Sequence, residues 1–267
     1  MKLLLVQRRD AIKSMLLEKG SITINEVIDA FGISVETARR DFDALADEGF
    51  LDKVYGGATL KKRTSASPSR ELMSRNFSDG KARMARRAVH FIHQGDTIFM
   101  DNSDTVYHMC SGIMEMDITV LTNSLQVMNA LAKTTTVKLI GVGGRYQADK
   151  DAFFGPMASG VLRQFQVDRA FLSCRSLDLE HGIGAADEIL ADLKKTAIHS
   201  TQQVCLLADH SKFSRVSFAN AGSLADINVL FTDELLSDDW KAALEEHDIH
   251  YFECLASGDV QQEANFY

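Results

Sequence analysis

The stretch that decides the fold of the first third of the chain is GISVETARRDFDALADEGFLDKVYGGATL, Gly32 to Leu60. Ser34 suits a helix N-cap, because its hydroxyl can accept a hydrogen bond from a backbone N–H of the first turn. The pattern therefore predicts a helix that starts at about Val35, and Gly49 is a natural end for it. At about 100° per residue, one side of this helix is apolar: Val35, Ala38, Phe42 and Leu45.

The other side of this helix is polar and carries the side chains that read DNA in many proteins. Two adjacent arginines lie in its first turns, and arginine is the usual guanine reader and phosphate contact in a major groove. A hydroxyl and a carboxylate stand beside them. We expect the N-terminal half of the helix to enter a major groove through five residues: Ser34, Glu36, Thr37, Arg39 and Arg40.

The flanking segments complete a winged helix-turn-helix. Upstream, INEVIDAFG has helical spacing and ends at the tight turn that Gly32 permits. Downstream, residues 50–58 (FLDKVYGGA) predict a two-stranded wing with Gly56 and Gly57 at its bend or exit. Lys53 and Tyr55 of this wing are expected to contact the phosphate backbone. The alternative is an ordinary helical hairpin whose arginines are solvated.

Length and composition predict two domains without cofactors. The 267 residues exceed the usual single domain, and no apolar run approaches the roughly 18 residues that span a bilayer. The N-terminus lacks the order of a signal peptide, so we expect a cytoplasmic protein. The cysteines and histidines show no metal-ligand or dithiol spacing, which favours buried reduced thiols and no metal site.

The charge distribution predicts oligomerisation. Residues 1–63 hold 11 Lys+Arg and 10 Asp+Glu, which gives this segment a net charge of +1. The other residues have a net charge of −9, so the whole chain has a net charge of −8. Most non-specific DNA affinity comes from phosphate neutralisation, so a nearly neutral head on an acidic body should bind weakly as a monomer. A homo-oligomer, either a dimer or a tetramer, would place several heads on one operator.

The rest of the chain predicts a domain in which helices and strands alternate. A polar segment, 61–80, is interpreted as a linker between a DNA-binding domain at 1–60 and a second domain at 81–257, followed by a tail at 258–267. Short apolar strands alternating with helices from Lys81 onward indicate an α/β fold with a mostly parallel sheet covered on both faces. The predicted elements include a helix at 104–114 and a short edge strand at about 216–218. Ligands bind outside the carboxyl ends of such strands.

Five polar loops follow predicted strands and would meet at that edge. They supply hydroxyls, consecutive backbone N–H groups and one lysine, which together suit an anion. The loops are 101–105, 122–124, 143–145, 173–178 and 209–212.

The first domain resembles the winged-helix domain of the DeoR/GlpR-type bacterial transcriptional regulators. The resemblance lies in Arg8, in the run of Ser34, Thr37, Arg39, Arg40 and Asp41, and in the exit Tyr55–Gly56–Gly57–Ala58. It implies binding to operator DNA and a larger C-terminal domain that senses a phosphorylated sugar. Repression relieved by the ligand is the habit of that family.

The second domain resembles the sensor domain of the same family. TNSL, Gly143–Gly144, VDRAF and LADHSKF carry this resemblance, which implies a fold related to ribose-5-phosphate isomerase and CoA-transferase folds. Carried over position by position, the resemblance implies a ligand site at Asp101, Thr105, Asn123, Ser124, Gly143, Gly144 and Lys212.

Three places depart from the family pattern. Ser103 and Asp104 replace a glycine and a threonine, residues 173–176 replace a glycine-rich segment, and Leu190 stands where glutamate is usual. A bare carboxylate at Asp104 would repel a phosphate in the same loop, so we expect Asp104 to pair with Arg175 and to narrow the pocket. Ser103, Asp104 and Arg175 are therefore added to the ligand-site candidates.

Three other functions are less well supported. A sugar-phosphate isomerase would use groups such as Asp101, Asp104, Asp178 and Lys212, yet no motif fixes a base against a substrate. A dinucleotide enzyme would need a third glycine where GVGGRY has Tyr146. A scaffold protein would not need the arginine-bearing helix. The sequence thus predicts a DNA-binding regulator without catalytic residues.

Overall fold

The computed structural model describes residues 5–19, 21–48, 50–60, 78–256 and 260–261. The chain divides into two compact units, an N-terminal unit, Met1–Asn76, and a C-terminal unit, Phe77–Tyr267. Within the described ranges, none of the helices combines the length and the apolar character needed to cross a bilayer.

The N-terminal unit is a winged helix-turn-helix, as the sequence predicts. Its helices are α1 (Leu5–Lys19), α2 (Ile24–Phe31) and α3 (Val35–Asp47). Its strands are β1 (Ser21–Thr23), β2 (Leu51–Val54) and β3 (Gly57–Leu60), which form an antiparallel sheet in the order β1-β3-β2. The wing is therefore confirmed, and the predicted end of α3 at Gly49 lies outside the described residues.

Local sequence fixes the turn between α2 and α3. Thr23 and Glu26 form a capping box that starts α2, and Gly32 ends that helix in the left-handed region at φ 60°. Ser34 then caps α3 through a 3.2 Å hydrogen bond from the backbone N–H of Thr37. These caps place the two helices in helix-turn-helix order.

The core of the N-terminal unit contains most of the predicted apolar stripe. Ala38, Phe42 and Leu45 of α3 are buried, and they pack with Ile12 and Leu16 of α1. Val35 is 46% exposed, so its predicted place in this stripe is wrong. It is the first residue of α3.

The C-terminal unit alternates strands and helices as predicted. Its helices are α4 (Ser78–Val89), α5 (Asp104–Tyr107), α6 (Cys110–Ile113), α7 (Leu125–Leu131), α8 (Pro156–Leu162), α9 (Glu188–His199) and α10 (Asp238–Glu246). Its strands are β4 (Thr97–Met100), β5 (Thr119–Thr122), β6 (Lys138–Gly141), β7 (Arg145–Gln147), β8 (Ala152–Phe154), β9 (Val167–Ser173), β10 (Ser176–Asp178), β11 (Gly182–Ala185), β12 (Thr201–Leu207), β13 (Ala219–Gly222), β14 (Val229–Thr232), β15 (His250–Cys254) and β16 (Val260–Gln261).

An eight-stranded sheet organises this unit and confirms the predicted α/β fold. Its order is β16-β15-β14-β12-β9-β4-β5-β6, in which every neighbouring pair is parallel except β15 with β16. Two clusters of buried apolar side chains lie against the sheet. Since the parallel strands share one direction, the loops after β4, β5, β9 and β12 meet at one edge, which we call the carboxyl edge.

The structure corrects four details of the prediction. The helix predicted at 104–114 is two short helices, α5 and α6, and the edge strand predicted at 216–218 lies at β13 instead. Val216 and Phe218 are more than half exposed, so their hydrophobicity did not mark a strand. The predicted 61–80 linker lies outside the described residues except for its last three residues, which begin α4. Two residues of the predicted tail form β16, which pairs with β15.

Two small sheets were not predicted. β7 and β8 form a hairpin, and β10, β11 and β13 form a three-stranded antiparallel sheet. The hairpin joins the loop after β5, because the backbone N–H of Phe153 donates to the carbonyl of Asn123 at 2.9 Å. It therefore lies beside the carboxyl edge.

Candidate functional sites

The exposed face of α3 presents the predicted DNA-contacting residues. The side chains of Glu36 and Arg40 are 79% and 78% exposed, and they form a loose i,i+4 ion pair at 3.4 Å. Arg39 is also exposed, and Ser34 and Thr37 share a 2.9 Å hydrogen bond between their hydroxyls. A surface pair of this kind holds its partners weakly, so Arg40 can exchange Glu36 for a base edge at small cost.

The wing presents its two predicted residues differently. Tyr55 is fully exposed at the tip between β2 and β3. Lys53 Nζ lies 2.5 Å from Asp43 Oδ1 of α3, and this hydrogen bond raises the pKa of the lysine. Lys53 therefore remains a cation that lies beside Asp43 of α3, next to the face that carries Arg40.

Asp41 has a role that the sequence did not predict. It is 1% exposed, although it belongs to the polar run of α3. Arg8 Nε reaches its Oδ2 at 2.6 Å, and Arg9 Nε reaches its Oδ1 at 3.1 Å. Asp41 thus joins α3 to α1, and only the periodicity of α3, which places Asp41 one residue before Phe42, hinted at its burial.

In the C-terminal unit, Asp101 contacts the loop after β4, the end of β9 and the helix α9 at the carboxyl edge. It is 2% exposed and accepts hydrogen bonds from the backbone N–H groups of Ser103 at 2.9 Å and Ser173 at 3.0 Å. It also forms an ion pair with Lys194 of α9. These contacts occupy the carboxylate, so Asp101 acts mainly as a positioning residue for the loops after β4 and β9.

The loop after β5 is buried and carries an unused acceptor. Asn123 is completely buried; its amide nitrogen donates to the carbonyl of Phe153 at 3.2 Å, and its Oδ1 has no hydrogen-bond partner among the described residues. Ser124 is 1% exposed and caps α7 by accepting from the backbone N–H of Val127. Buried polar atoms are nearly always paired, so an orphaned oxygen here fits a ligand donor.

The two glycines after β6 are required by the backbone. Gly143 and Gly144 have φ values of 65° and 111°, which side chains rarely adopt. A Cβ on Gly144 would also lie 2.7 Å from the carbonyl oxygen of Phe154 in β8. The two glycines predicted to bind the ligand are therefore also required by the local backbone, because β8 lies close to Gly144.

The loop after β12 holds a buried lysine and a buried aspartate. Lys212 is 7% exposed, and its Nζ lies 3.6 Å from Oδ2 of Asp209, too far for a hydrogen bond. Asp209 is 1% exposed and accepts two hydrogen bonds from Ser211 at Oδ1. Its Oδ2 has no hydrogen-bond partner in the described part of the chain. Burial opposes ionisation of Asp209, but Lys212 and the Ser211 hydrogen bond keep its pKa low.

The loops after β4, β9 and β12 converge on one place. Cys174 lies at the end of β9, and burial raises the pKa of its thiol to about 12. The charges of Lys212 and Lys194 act to lower this pKa, whereas Asp209 and Asp101 act to raise it. All four groups thus act on Cys174, and we call this part of the carboxyl edge, with Asp101, Lys194, Asp209 and Lys212, the edge site.

The expected pair of Asp104 with Arg175 stays a prediction. Burial and the charge of Arg215 lower the pKa of Arg175. Asp104 acts electrostatically on Lys81 and His108. Ser103 caps α5, and Thr105 is buried within it.

Two lysines near this site, Lys81 and Lys194, were missed by the sequence analysis. Both lie on helices, α4 and α9, and are 4% and 8% exposed. A lysine in the interior of an amphipathic helix is the signal that could have found them, since lysine is almost never buried without a partner.

The cysteines behave as predicted, and metal chemistry has no visible support. All four are free and buried, and burial raises the pKa of Cys110 and Cys205 to about 12. Across the described ranges, no cluster of three or more His, Cys, Asp or Glu side chains is arranged to hold a metal ion.

Comparison with known proteins identifies both units. A model described as a DeoR-like helix-turn-helix domain matches residues 8–64, and one described as the DeoR C terminal sensor domain matches residues 76–234. The solved structure of ribose 5-phosphate isomerase A from Methanocaldococcus jannaschii is similar over 52% of this chain and 55% of that chain, with a TM-score of 0.39 and 14% identity. This last likeness is distant and concerns the fold alone.

The curated relatives are regulators that align along nearly their whole length. The chain is 30% identical to the L-fucose operon activator of Haemophilus influenzae, over 91% of this chain and 97% of that protein. It is 29% identical to IolR of Bacillus subtilis, over 93% and 98%, and 26% identical to the glycerol-3-phosphate regulon repressor of Escherichia coli, over 85% and 90%. The chain therefore belongs to the DeoR family, as the resemblance predicted, and is a DNA-binding transcriptional regulator rather than an enzyme.

Proposed function

We propose that this protein is an operator-binding repressor of a carbohydrate-catabolism operon, controlled by a phosphorylated sugar that binds at the edge site. The observation that carries the proposal is the buried Lys212, whose Nζ lies 3.6 Å from the orphaned Oδ2 of Asp209. A second orphaned acceptor, Asn123 Oδ1, follows β5 at the same carboxyl edge of the sheet. A phosphate ester would meet the ammonium group of Lys212, and sugar hydroxyls would donate to the two oxygens. A plain sugar would leave the lysine unused.

The relatives support the regulatory part of the proposal. They include an L-fucose operon activator, a putative aga operon transcriptional repressor and a glycerol-3-phosphate regulon repressor. Two of these three relatives are described as repressors. We extend repression to this chain, together with a cytoplasmic location and a homo-oligomeric state in which two or more N-terminal units share one operator.

Thermal-shift measurements test the ligand class. Inorganic phosphate and a panel of hexose and pentose monophosphates are compared with the parent sugars, each at concentrations up to about 100 times an assumed Kd. At such an excess a bound ligand stabilises a protein by about 2.7 kcal/mol. We expect stabilisation by a phosphate ester but not by its parent sugar.

The variant Lys212→Met is expected to lose this stabilisation, whereas Lys133→Met, at an exposed lysine after α7, should keep it. A gel shift on DNA from the promoter region of neighbouring genes then shows whether the same ester releases the protein. If no phosphate ester stabilises the wild-type protein, the proposed ligand class is wrong.

A further inference from the structure

Lys81 occupies an unusual position for a lysine. It lies in the first turns of α4, is 4% exposed, and belongs to a helix that packs on α5, β12, β14 and β15. The preceding residue, Gly80, is pressed against the loop after β14, because a Cβ there would lie 2.3 Å from Asp233 Oδ2. The first turn of α4 is therefore held at the carboxyl edge.

The charged groups around Lys81 belong to the edge site and its surroundings. Burial is the main effect, and it lowers the pKa of the Lys81 ammonium group. The charge of Asp209 opposes this shift, that of Lys212 reinforces it, and those of Asp104 and Asp233 oppose it. Lys81 also acts on His108, whose pKa is lowered mainly by burial. Two buried ammonium groups, Lys81 and Lys212, thus share the neighbourhood of Asp209.

Burial and the charge of Lys212 disfavour the Lys81 ammonium group, whereas the charges of Asp209, Asp104 and Asp233 favour it. Like charges away from water repel each other. A bound anion between them would reverse the sign of that interaction and would give each ammonium group a charge-assisted hydrogen bond. The orphaned Oδ2 of Asp209 remains available for a hydroxyl of the same ligand.

We propose that Lys81 binds the anionic group of the ligand together with Lys212, and that this contact makes α4 the element that transmits ligand occupancy. The inference rests on the sugar-phosphate function proposed above. The N-terminal unit ends at Asn76 and α4 begins at Ser78, so a ligand that pulls on Lys81 acts close to the point of the chain where the two units are joined. A physical connection of this kind is what regulation at a distance requires.

The variants Lys81→Met and Lys81→Arg test the inference in the full-length protein, with Lys133→Met as the control for loss of a lysine. The probes are inorganic phosphate and the sugar monophosphate panel. Affinity is measured by thermal shift and titration calorimetry, and operator binding is measured without the probe and at its saturating concentration.

We expect Lys81→Met to fold, to bind operator as the wild-type protein does without probe, and to bind the phosphate ester roughly 10- to 100-fold more weakly. Its release from the operator should remain largely lost even when the ester saturates the site. Lys81→Arg, which keeps the charge, should retain more of both responses than Lys81→Met.

Unchanged affinity in Lys81→Met overturns the inference, and so does full operator release at saturation, because Lys81 would then be a structural or merely affinity-adding residue. Either result leaves the proposed function intact if the wild-type protein still responds, whereas a wild-type protein that responds to no phosphate ester overturns both.

If Lys81→Met does not fold, hydrogen exchange of the wild-type protein decides the question. The ester should protect backbone amides in the first turns of α4 as well as those after β12, and protection confined to the latter contradicts the inference.

Discussion

Asp41 Oδ2 lies 2.6 Å from Arg8 Nε, and this contact fixes α3 against α1. Arg9 holds the other carboxylate oxygen at 3.1 Å, so one buried acceptor is shared by two arginines. Because Asp41 directly follows Arg40, the pair determines how α3 is rotated about its axis. The direction of the Arg40 side chain therefore depends on a contact made about 100° further around the helix.

Asp41→Asn should destabilise the N-terminal unit by about 2–4 kcal/mol, because breaking a buried ion pair leaves its partners uncompensated, and the partial exposure of the arginines reduces the cost. Urea unfolding of the full chain measures this effect. Trp240, the single tryptophan, lies in the C-terminal unit and reports that unit, whereas circular dichroism reports both. The circular dichroism signal of the variant should begin to fall at a lower urea concentration than that of the wild-type protein. The urea midpoint of the Trp240 fluorescence transition should stay the same.

The matched control is Asp43→Asn, which removes an exposed carboxylate from the same helix and should cost less than about 1 kcal/mol. If Asp41→Asn unfolds at the same urea concentration as the wild-type protein, the pair with Arg8 and Arg9 does not stabilise the unit.

Arg40→Ala and Lys53→Ala should weaken DNA binding in different ways. Loss of a bidentate contact from Arg40 to a base is expected to remove about 1–3 kcal/mol of discrimination between operator and scrambled DNA. Loss of a phosphate contact from Lys53 should weaken binding to both DNAs about equally and reduce the salt dependence. Fluorescence anisotropy on both DNAs at several salt concentrations measures these effects.

Arg86→Ala removes an exposed arginine from α4 and serves as the control for lost positive charge. An Arg40→Ala protein that keeps its full preference for operator DNA would remove Arg40 from the set of base-reading residues.

The N-terminal unit was predictable because its signals are local. Ser34, Gly32 and the Gly56–Gly57 bend each specify a cap or a turn within a few residues of sequence. β1 was missed because three residues carry little pattern, and their pairing with β3 joins parts of the chain more than thirty residues apart. The burial of Asp41 was missed for the same reason, since its partners lie on α1.

Asp101→Asn should destabilise the C-terminal unit by about 3–5 kcal/mol, because the ammonium group of Lys194 would remain buried without its carboxylate. Urea unfolding followed by Trp240 fluorescence measures the loss. The double variant Asp101→Asn with Lys194→Met removes the uncompensated charge, so it should recover part of that stability. A single variant within about 0.5 kcal/mol of the wild-type protein would show that the pair is dispensable.

The edge site was predictable in position but not in its charges. Polar loops after parallel strands lie along one edge by topology, which is why the loops that carry Asn123, Ser124 and Lys212 could be assigned to the same edge of the sheet. Lys81 and Lys194 reach the site from helices, and only tertiary packing decides which helical side chains lie near which loop. The expected pair of Asp104 with Arg175 stays a prediction, and the structure adds Lys81 and Arg215 as charged groups that act with these two residues.

His210 gives the C-terminal unit a pH-dependent stability. Its Nδ1 lies 3.2 Å from both carboxylate oxygens of Asp233, and this hydrogen bond is the main cause that raises the pKa of His210. Burial opposes the shift, while the charges of Asp233, Glu234 and Asp209 reinforce it. A histidine whose pKa is raised on folding stabilises the protein while it is protonated in both states, and it loses that effect as the pH rises through the folded-state value.

His210→Gln should therefore be less stable than the wild-type protein by about 1–2 kcal/mol at or below pH 6, under the unfolded value of about 6.5. The gap should narrow as the pH rises above 6.5 toward 9, since the wild-type imidazole then loses its proton too. Unfolding followed by Trp240 fluorescence at a series of pH values measures the gap. His247→Gln, at an exposed histidine after α10, should show no such trend. A gap that stays constant or widens with rising pH would contradict the assignment of a protonated His210 bound to Asp233.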